Sequence, residues 1–236
     1  MILKNIMLDF KRYEMDYIKS NMYIFLDGNE ALVIDPNGSE DGFLLLKEKG
    51  IQKATILLTH EHFDHTVGIN RIRNAMETEL ICQKECAKSI AIAKKNRPLS
   101  LLMMKGESSQ KQIREFYDSF SLYTCHADRR FELCYKFYWR SHSIFMIATP
   151  GHSKGSCCIE IDSQYVFTGD SLFLNVPVIT RYPGGSMEEY EIQTVPYLER
   201  LSKGIFIMPG HGVPWNMGEL KYKEKGFWDA ALGQTI

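Results

Sequence analysis

The sequence predicts a mixed α/β fold, and three observations carry that expectation. Short apolar runs rich in Val, Ile and Phe recur at 31–34, 54–58, 144–148, 165–167 and 205–207, each the length of a buried strand. Between several of them lie stretches with helical patterning, such as the one carrying Phe43, Leu44 and Leu46. Four of the runs end in turns that present histidine or aspartate, which is how a rigid scaffold carries chemistry on its loops. A chain of 236 residues suits one compact domain, 1–236, able to bury about 70% of its unfolded surface.

Taken in order, 21–26 and 31–34 flank Asp27-Gly28-Asn29-Glu30, a hairpin signal because Gly28 tolerates positive φ. Asp35-Pro36-Asn37-Gly38 ends the second strand. Ser39 is placed to cap a helix that Gly50 stops. The strand 54–58, with Thr59 behind it, leads into His60-Glu61-His62-Phe63-Asp64-His65. A helix is expected at 66–75, a strand at 80–82 and a helix at 83–95, which Asn96-Arg97-Pro98 interrupts because proline disfavours helical geometry before it. Residues 97–126, with a Met- and aromatic-rich stripe that includes Met103 and Phe116, read as a helical insertion able to form a lid or a homodimer contact. Apolar runs return at 131–139 and 144–148. The segments 156–161 and 164–167 pair around Asp162-Ser163, and Ser186 with Glu189 forms a capping-box pattern ahead of a helix that Pro196 should kink or split.

Composition narrows the functions. Lys plus Arg total 28 and Asp plus Glu 29, so the net charge of -1 offers no attraction to a nucleic acid. No apolar run approaches the roughly 20 residues that span a bilayer, and the N-terminus lacks a signal-peptide core, so a cytoplasmic protein without a membrane partner is expected. The six cysteines form no CxxC pair and read as ordinary thiols.

The chemistry concentrates at residues 60–65. His60 and His62 share a face of an extended segment, and a turn can swing Asp64 and His65 toward a neighbouring point, so one cluster can serve two ions. Further ligand types follow strands in Thr149-Pro150-Gly151-His152, Thr168-Gly169-Asp170 and Met208-Pro209-Gly210-His211-Gly212. His126 and His142 lie off these motifs and read as structural or exposed.

This ordered set resembles the metallo-β-lactamase-fold hydrolase superfamily, from about Ile24 to Glu219. The resemblance implies a four-layer αβ/βα sandwich with its metals at one edge between two sheets. It implies that His60, His62 and His152 hold one divalent ion and that Asp64, His65 and His211 hold a second. Asp170 would bridge the two, and Asp64 would also orient the attacking water, making Asp64 and Asp170 the catalytic carboxylates. Nitrogen-rich sites of this kind suit zinc, with iron or manganese as alternatives. Two such ions and a bridging hydroxide would leave the site with a net charge of about +1, which favours anionic substrates. Asp35 is read as loop support.

Within the superfamily, residues 149–212 look most like small glyoxalase II-like (hydroxyacylglutathione hydrolase-like) thioesterases. The matching pieces are Thr149-Pro150-Gly151-His152-Ser153, Gly155-Ser156, Phe167-Thr168-Gly169-Asp170-Ser171-Leu172-Phe173, Arg181-Tyr182-Pro183-Gly184-Gly185 and Pro209-Gly210-His211-Gly212. Lys154 departs from a common proline, 175–180 departs from the usual loop, and no helical glutathione-binding domain is expected past His211. The expected activity is hydrolysis of a thioester or other ester of a small anionic molecule, with Lys154 and Arg181 orienting the anion. The alternatives are a phosphodiesterase, nuclease or lactonase on the same dinuclear site and, further off, a diiron redox protein, a branch that usually carries glutamate where His62 stands.

Overall fold

Side-chain alternation along the strands sorts the apolar residues into three layers and thereby sets the architecture. The computed structural model describes residues 9–16, 18–98 and 121–220. The first sheet holds, in chain order, β1 (Phe10–Glu14), β2 (Asn21–Asp27), β3 (Glu30–Ile34), β4 (Lys53–Leu57), β5 (Glu77–Gln83) and β6 (Arg129–Phe131). The second holds β7 (Cys134–Trp139), β8 (His142–Ala148), β9 (Cys157–Ile161), β10 (Tyr165–Gly169), β11 (Phe206–Pro209) and β12 (Trp215–Asn216). Both sheets are mixed. β1 to β3 pair antiparallel and β3 to β6 parallel, while in the second sheet only β10 and β11 run parallel.

Met22, Ile24, Ala31, Val33, Ile56, Leu80 and Cys82 face one way, into a cluster with residues of α1 (Glu40–Glu48), α3 (Ile69–Ala75) and α4 (Lys84–Ile90). Their neighbours Tyr23, Phe25, Leu32, Ile34, Leu57 and Ile81 face the other way and meet Ile144, Met146, Ile159, Phe167 and Met208 of the second sheet. On the far side of that sheet Cys158, Val166 and Ile207 pack under Tyr190, Val195 and Leu198. The result is helix, sheet, sheet, helix, the four-layer sandwich that the motifs implied.

Several boundaries differ from the sequence expectation for local reasons. The helix expected at 66–75 is two helices, α2 (Phe63–Thr66) and α3, separated at Gly68. The Gly68 N–H donates to the Pro36 carbonyl at 2.8 Å, and a Cβ there would sit 2.8 Å from that same oxygen, so the chain passes too close for a side chain or a continuous helix. The helix expected at 83–95 ends at Ile90 and resumes as a 3₁₀ turn, Ala93–Lys95, because the Asn96 amide donates to the Ile90 and Tyr123 carbonyls at 2.8 Å each. The apolar run 131–139 spans two strands in different sheets. β1 has no expected counterpart, its burial alternating weakly. Ser186 caps α5 (Met187–Glu189) by accepting from the Glu189 N–H, but no return bond from the Glu189 carboxylate completes the box. Around Pro196 the helical stretch widens into a π turn, Tyr190–Thr194, before α6 (Val195–Leu198), a break of the kind proline was expected to cause.

Asp162 and Ser163 both take positive φ, as a two-residue hairpin turn requires. Residues 99–120, and with them most of the expected insertion including Met103 and Phe116, lie outside the described residues. All six cysteines are free, and Cys134 alone among them is exposed. No helix among the described residues is long and apolar enough to cross a membrane.

Candidate metal centre

The ends of β4, β8, β10 and β11 meet at one edge of the sandwich and bring together residues far apart in sequence. His60 Nε2 and His152 Nε2 lie 3.1 and 3.0 Å from His62 Nδ1, so three ring nitrogens converge. Beside them, Asp64 Oδ2 lies 3.4 Å from His65 Nε2 and 3.3 Å from His211 Nε2. Asp170 stands between the two groups, with Oδ1 3.6 Å from His65 Nε2 and Oδ2 3.4 and 3.5 Å from the Nε2 atoms of His152 and His211. Each triad could hold a metal ion, its ligand atoms lying within 4.8 Å of one another.

Hydrogen bonds behind the rings fix which nitrogen faces the centre. His152 Nδ1 donates to the Ile179 carbonyl at 2.7 Å, which leaves Nε2 unprotonated in the neutral ring. Thr59 Oγ1 donates to Asp35 Oδ2 at 2.6 Å and so accepts from His60 Nδ1 at 3.0 Å, again leaving Nε2 bare. His65 Nδ1 donates to the same Asp35 oxygen at 3.0 Å, while Asp35 Oδ1 accepts the Thr59 N–H at 2.7 Å. Asp35 thus supports a ligand-type side chain in each triad, as outer-shell carboxylates do at metal sites. It also belongs to a third potential triad with His60 and His65. Its three donors already occupy it, so we read it as a support and not as a ligand.

The loops themselves are held across the interface between sheets. Ser20 Oγ donates to the Asp64 carbonyl at 2.7 Å, and the Asn21 amide and Tyr23 hydroxyl donate to the Pro209 carbonyl at 2.9 and 2.8 Å. Two glycines permit the close approach. A Cβ on Gly210 would lie 2.2 Å from Asp170 Oδ1, and one on Gly169, whose φ is +50°, would lie 2.3 Å from Thr59 Oγ1.

The electrostatics divide the site. Burial, followed by the neighbouring imidazoles His65 and His62, holds His60 well below the ordinary histidine range; burial likewise lowers His62 and brings His152 down to about 4. These rings are neutral near pH 7 and offer lone pairs. Burial would lower His211 too, but Asp170 and then Asp64 outweigh it and carry it up to about 10. Burial disfavours charge on Asp64 and Asp170, yet the adjoining His65 and His211 hold both well below the usual carboxylate range.

The donor set fits cations. A single proton on His62 Nδ1 can satisfy one of the two bare nitrogens facing it, whereas one cation serves all three, and tetrahedral coordination at zinc distances would put such nitrogens roughly 3.3 Å apart. His65 Nε2 and Asp170 Oδ1 are buried polar atoms with no hydrogen-bond partner, and both point at the shared space between the triads. Elemental analysis of protein purified without chelator is therefore expected to approach two transition metals per chain. A plateau at one after metal addition would break the dinuclear reading.

The centre opens into two cavities. The larger, about 680 Å³, is walled by apolar side chains including Ile18, Phe173, Leu174, Val176, Ile179 and Val213, and no described lysine or arginine lines it. The smaller, about 410 Å³, shares His62 and Asp64 with it and includes Lys154. Arg181, expected beside the anion, is exposed and lines neither cavity; its neighbour Tyr182 lines both, edge-on to His62 and His152. His142 stacks on Trp139 and pairs with Asp162 at 2.6 Å, and His126 is exposed, so both lie apart from the centre. The outer support by Thr59, Ser20 and Asn21 went unforeseen because it depends on distant partners, and Tyr182, though inside a matching motif, was passed over in favour of Arg181.

Comparison with known proteins agrees with the fold. The Metallo-beta-lactamase superfamily profile matches residues 16–211. The chain is 26% identical over 210 residues to "Probable metallo-hydrolase YqgX" of Bacillus subtilis, covering 87% of this chain and 90% of that protein. It is 24% identical over 184 residues to a hydroxyacylglutathione hydrolase of Polaromonas sp., covering 77% of this chain and 57% of that one. Among solved structures, the BLEG-1 B3 metallo-beta-lactamase superposes with a TM-score of 0.71 at 22% identity, covering 89% of this chain and 95% of that one. TTHA1623 in a di-iron-bound form superposes at 0.67 with 21% identity, covering 89% and 96%. The profile spans most of the chain and includes every candidate ligand named above, so this chain belongs to the metallo-beta-lactamase superfamily.

Proposed function

We propose that this protein is a dinuclear metal-dependent hydrolase that cleaves a thioester or other ester of a small anionic molecule in the cytoplasm. In this reading His60, His62 and His152 would hold one ion and Asp64, His65 and His211 the other, with Asp170 available to both. Zinc is the metal proposed and iron the alternative, the latter supported by the di-iron form of one structural neighbour. The observation that carries the reading is the position of the Asp170 carboxylate, within 3.4 to 3.6 Å of ring nitrogens from both triads and at the floor of the larger cavity. When bound, divalent ions supply an activated water at neutral pH and polarise the substrate oxygen.

The chain's own residues do the rest. The apolar wall seats one end of the substrate and excludes water from the reacting carbonyl. Asp64 orients the water, whose oxygen adds to that carbon, and the carbon–sulfur or carbon–oxygen bond breaks as the leaving group takes the water's proton. The wall suits the uncharged acyl part of such an ester. The kinship to a hydroxyacylglutathione hydrolase lends weight to a thioester. A panel of thioesters, lactones, β-lactams and phosphodiesters assayed with metal-loaded protein tests the reading. A thioester is expected to give the highest kcat/KM, and turnover confined to phosphodiesters or β-lactams would overturn it.

A further inference from the structure

The smaller cavity carries a feature that the hydrolytic chemistry does not use. Four cations, Lys94, Lys95, Arg97 and Lys154, line it within a volume of about 410 Å³. They come from two distant parts of the chain: the 3₁₀ turn after α4 with its continuation to Pro98, and the loop behind His152. None makes an ion pair among the described residues, whereas Lys84, Lys88, Arg71, Arg73 and Arg129 all do. The acids nearby are already engaged. Glu61 accepts from Ser153 Oγ at 2.8 Å, Glu85 pairs with Lys88 at 2.6 Å and attracts Lys154 more weakly, and Asp64 belongs to the metal centre. These exposed cations outnumber the acids on the cavity wall, a balance that favours an anionic ligand.

The cavity borders the reaction site. It shares His62, Asp64 and Tyr182 with the larger one, and the Tyr182 ring, 5.8 Å from that of His62 and 6.0 Å from that of His152, forms the ridge between the two. A molecule lying across the metal centre therefore meets an apolar wall on one side and a group of cations on the other.

Building on the hydrolase reading, we propose that the substrate is an amphiphile whose scissile bond lies at the metals, with one end apolar and the other bearing two or more negative charges bound by Lys94, Lys95, Arg97 and Lys154. Multiple charges match the number of cations better than a single carboxylate does. Both phosphate and clustered carboxylates satisfy that chemistry, and the experiment separates them.

The test compares metal-loaded wild-type protein on thioesters of one short aliphatic acid with three thiols: neutral, dicarboxylate and phosphate monoester. A fourth thioester joins a dicarboxylate acyl group to the neutral thiol, so that either orientation registers. At least one polyanionic compound is expected to exceed the neutral one by about tenfold or more in kcat/KM, and added salt should shrink that ratio. The combined substitution Lys94→Gln, Lys95→Gln and Arg97→Gln is expected to bring the ratio to near one. Lys136→Gln, an exposed position on β7, should not change it. Direct titration of inorganic pyrophosphate into metal-loaded protein supplies a readout independent of thioesterase activity. Binding weakened about tenfold or more by the triple substitution supports the subsite even if no thioester is cleaved, a result that would overturn only the hydrolytic reading. Equal kcat/KM for charged and neutral thioesters, or pyrophosphate binding that the triple substitution leaves intact, overturns the subsite.

Discussion

Replacing Asp170 with asparagine is expected to lower hydrolysis at least about 100-fold while moving the Tm of the metal-free protein by less than about 4 °C. The carboxylate presents Oδ1 to His65 and Oδ2 to His152 and His211. An asparagine keeps the shape but converts one of those oxygens to an NH2 that cannot ligate, so whichever way the amide sits, one side of the bridge is lost. Stability suffers little because no cavity opens and the packing against Gly210 is retained. Steady-state kinetics and elemental analysis of the loaded protein, with thermal melts of both proteins stripped of metal, check the claim. A variant that keeps two metals and near wild-type turnover would remove Asp170 from the centre.

Asp35→Asn is expected to weaken the site of Asp64, His65 and His211 for metal by about 10- to 100-fold, although Asp35 is not read as a ligand. Asparagine tolerates the φ of +52° found at Asp35, so the backbone need not move. With the amide oxygen kept on the Thr59 N–H, its nitrogen faces His65 Nδ1 and the Thr59 hydroxyl where Oδ2 now accepts from both. His65 must then accept at Nδ1 and carry its proton on Nε2, the atom aimed at the metal. The lost buried acceptor should also cost about 1–3 kcal/mol of stability. Competition against a chelator of known affinity measures the first effect and urea unfolding of the metal-free protein the second. Unchanged affinity would mean that the tautomer of His65 is set elsewhere.

The contrast between these two aspartates indicates how far the sequence could be read. Asp170 stands in a strand-turn motif with Gly169 beside it, and such local signals also gave the hairpin at Gly28, the Ser39 cap and the strands that deliver His60, His152 and His211. Asp35 was legible only as a loop residue, because its partners Thr59 and His65 lie 24 and 30 positions away. The same limit applies to Ser20 and Asn21, whose role depends on which loop the other sheet brings over them. Residues 131–139 read as one strand because both sheets bury apolar side chains, and nothing local marks where the chain leaves one for the other. Lys94, Lys95 and Arg97 look like an ordinary solvated run until the fold sets Lys154 opposite them. Arg181 shows the reverse: its motif was visible, yet the side chain that reaches the cavities is that of Tyr182.

Each sheet is built from one uninterrupted half of the chain, with the passage from the first to the second falling between β6 and β7. The first half carries His60, His62, Asp64 and His65, and the second carries His152, Asp170 and His211. In the proposed arrangement the ions therefore act as a reversible cross-link between two consecutive pieces of the polypeptide, closed only after the later piece has been made and docked. Ligands that bind the native state alone add their binding energy to its stability. A chain that fails to acquire metal keeps both sheets but lacks the clasp, and it opens along their shared seam more often than a loaded one. Proteases that sample open chains would then remove the unloaded protein first, so that metal supply governs how long each molecule survives as well as whether it can react.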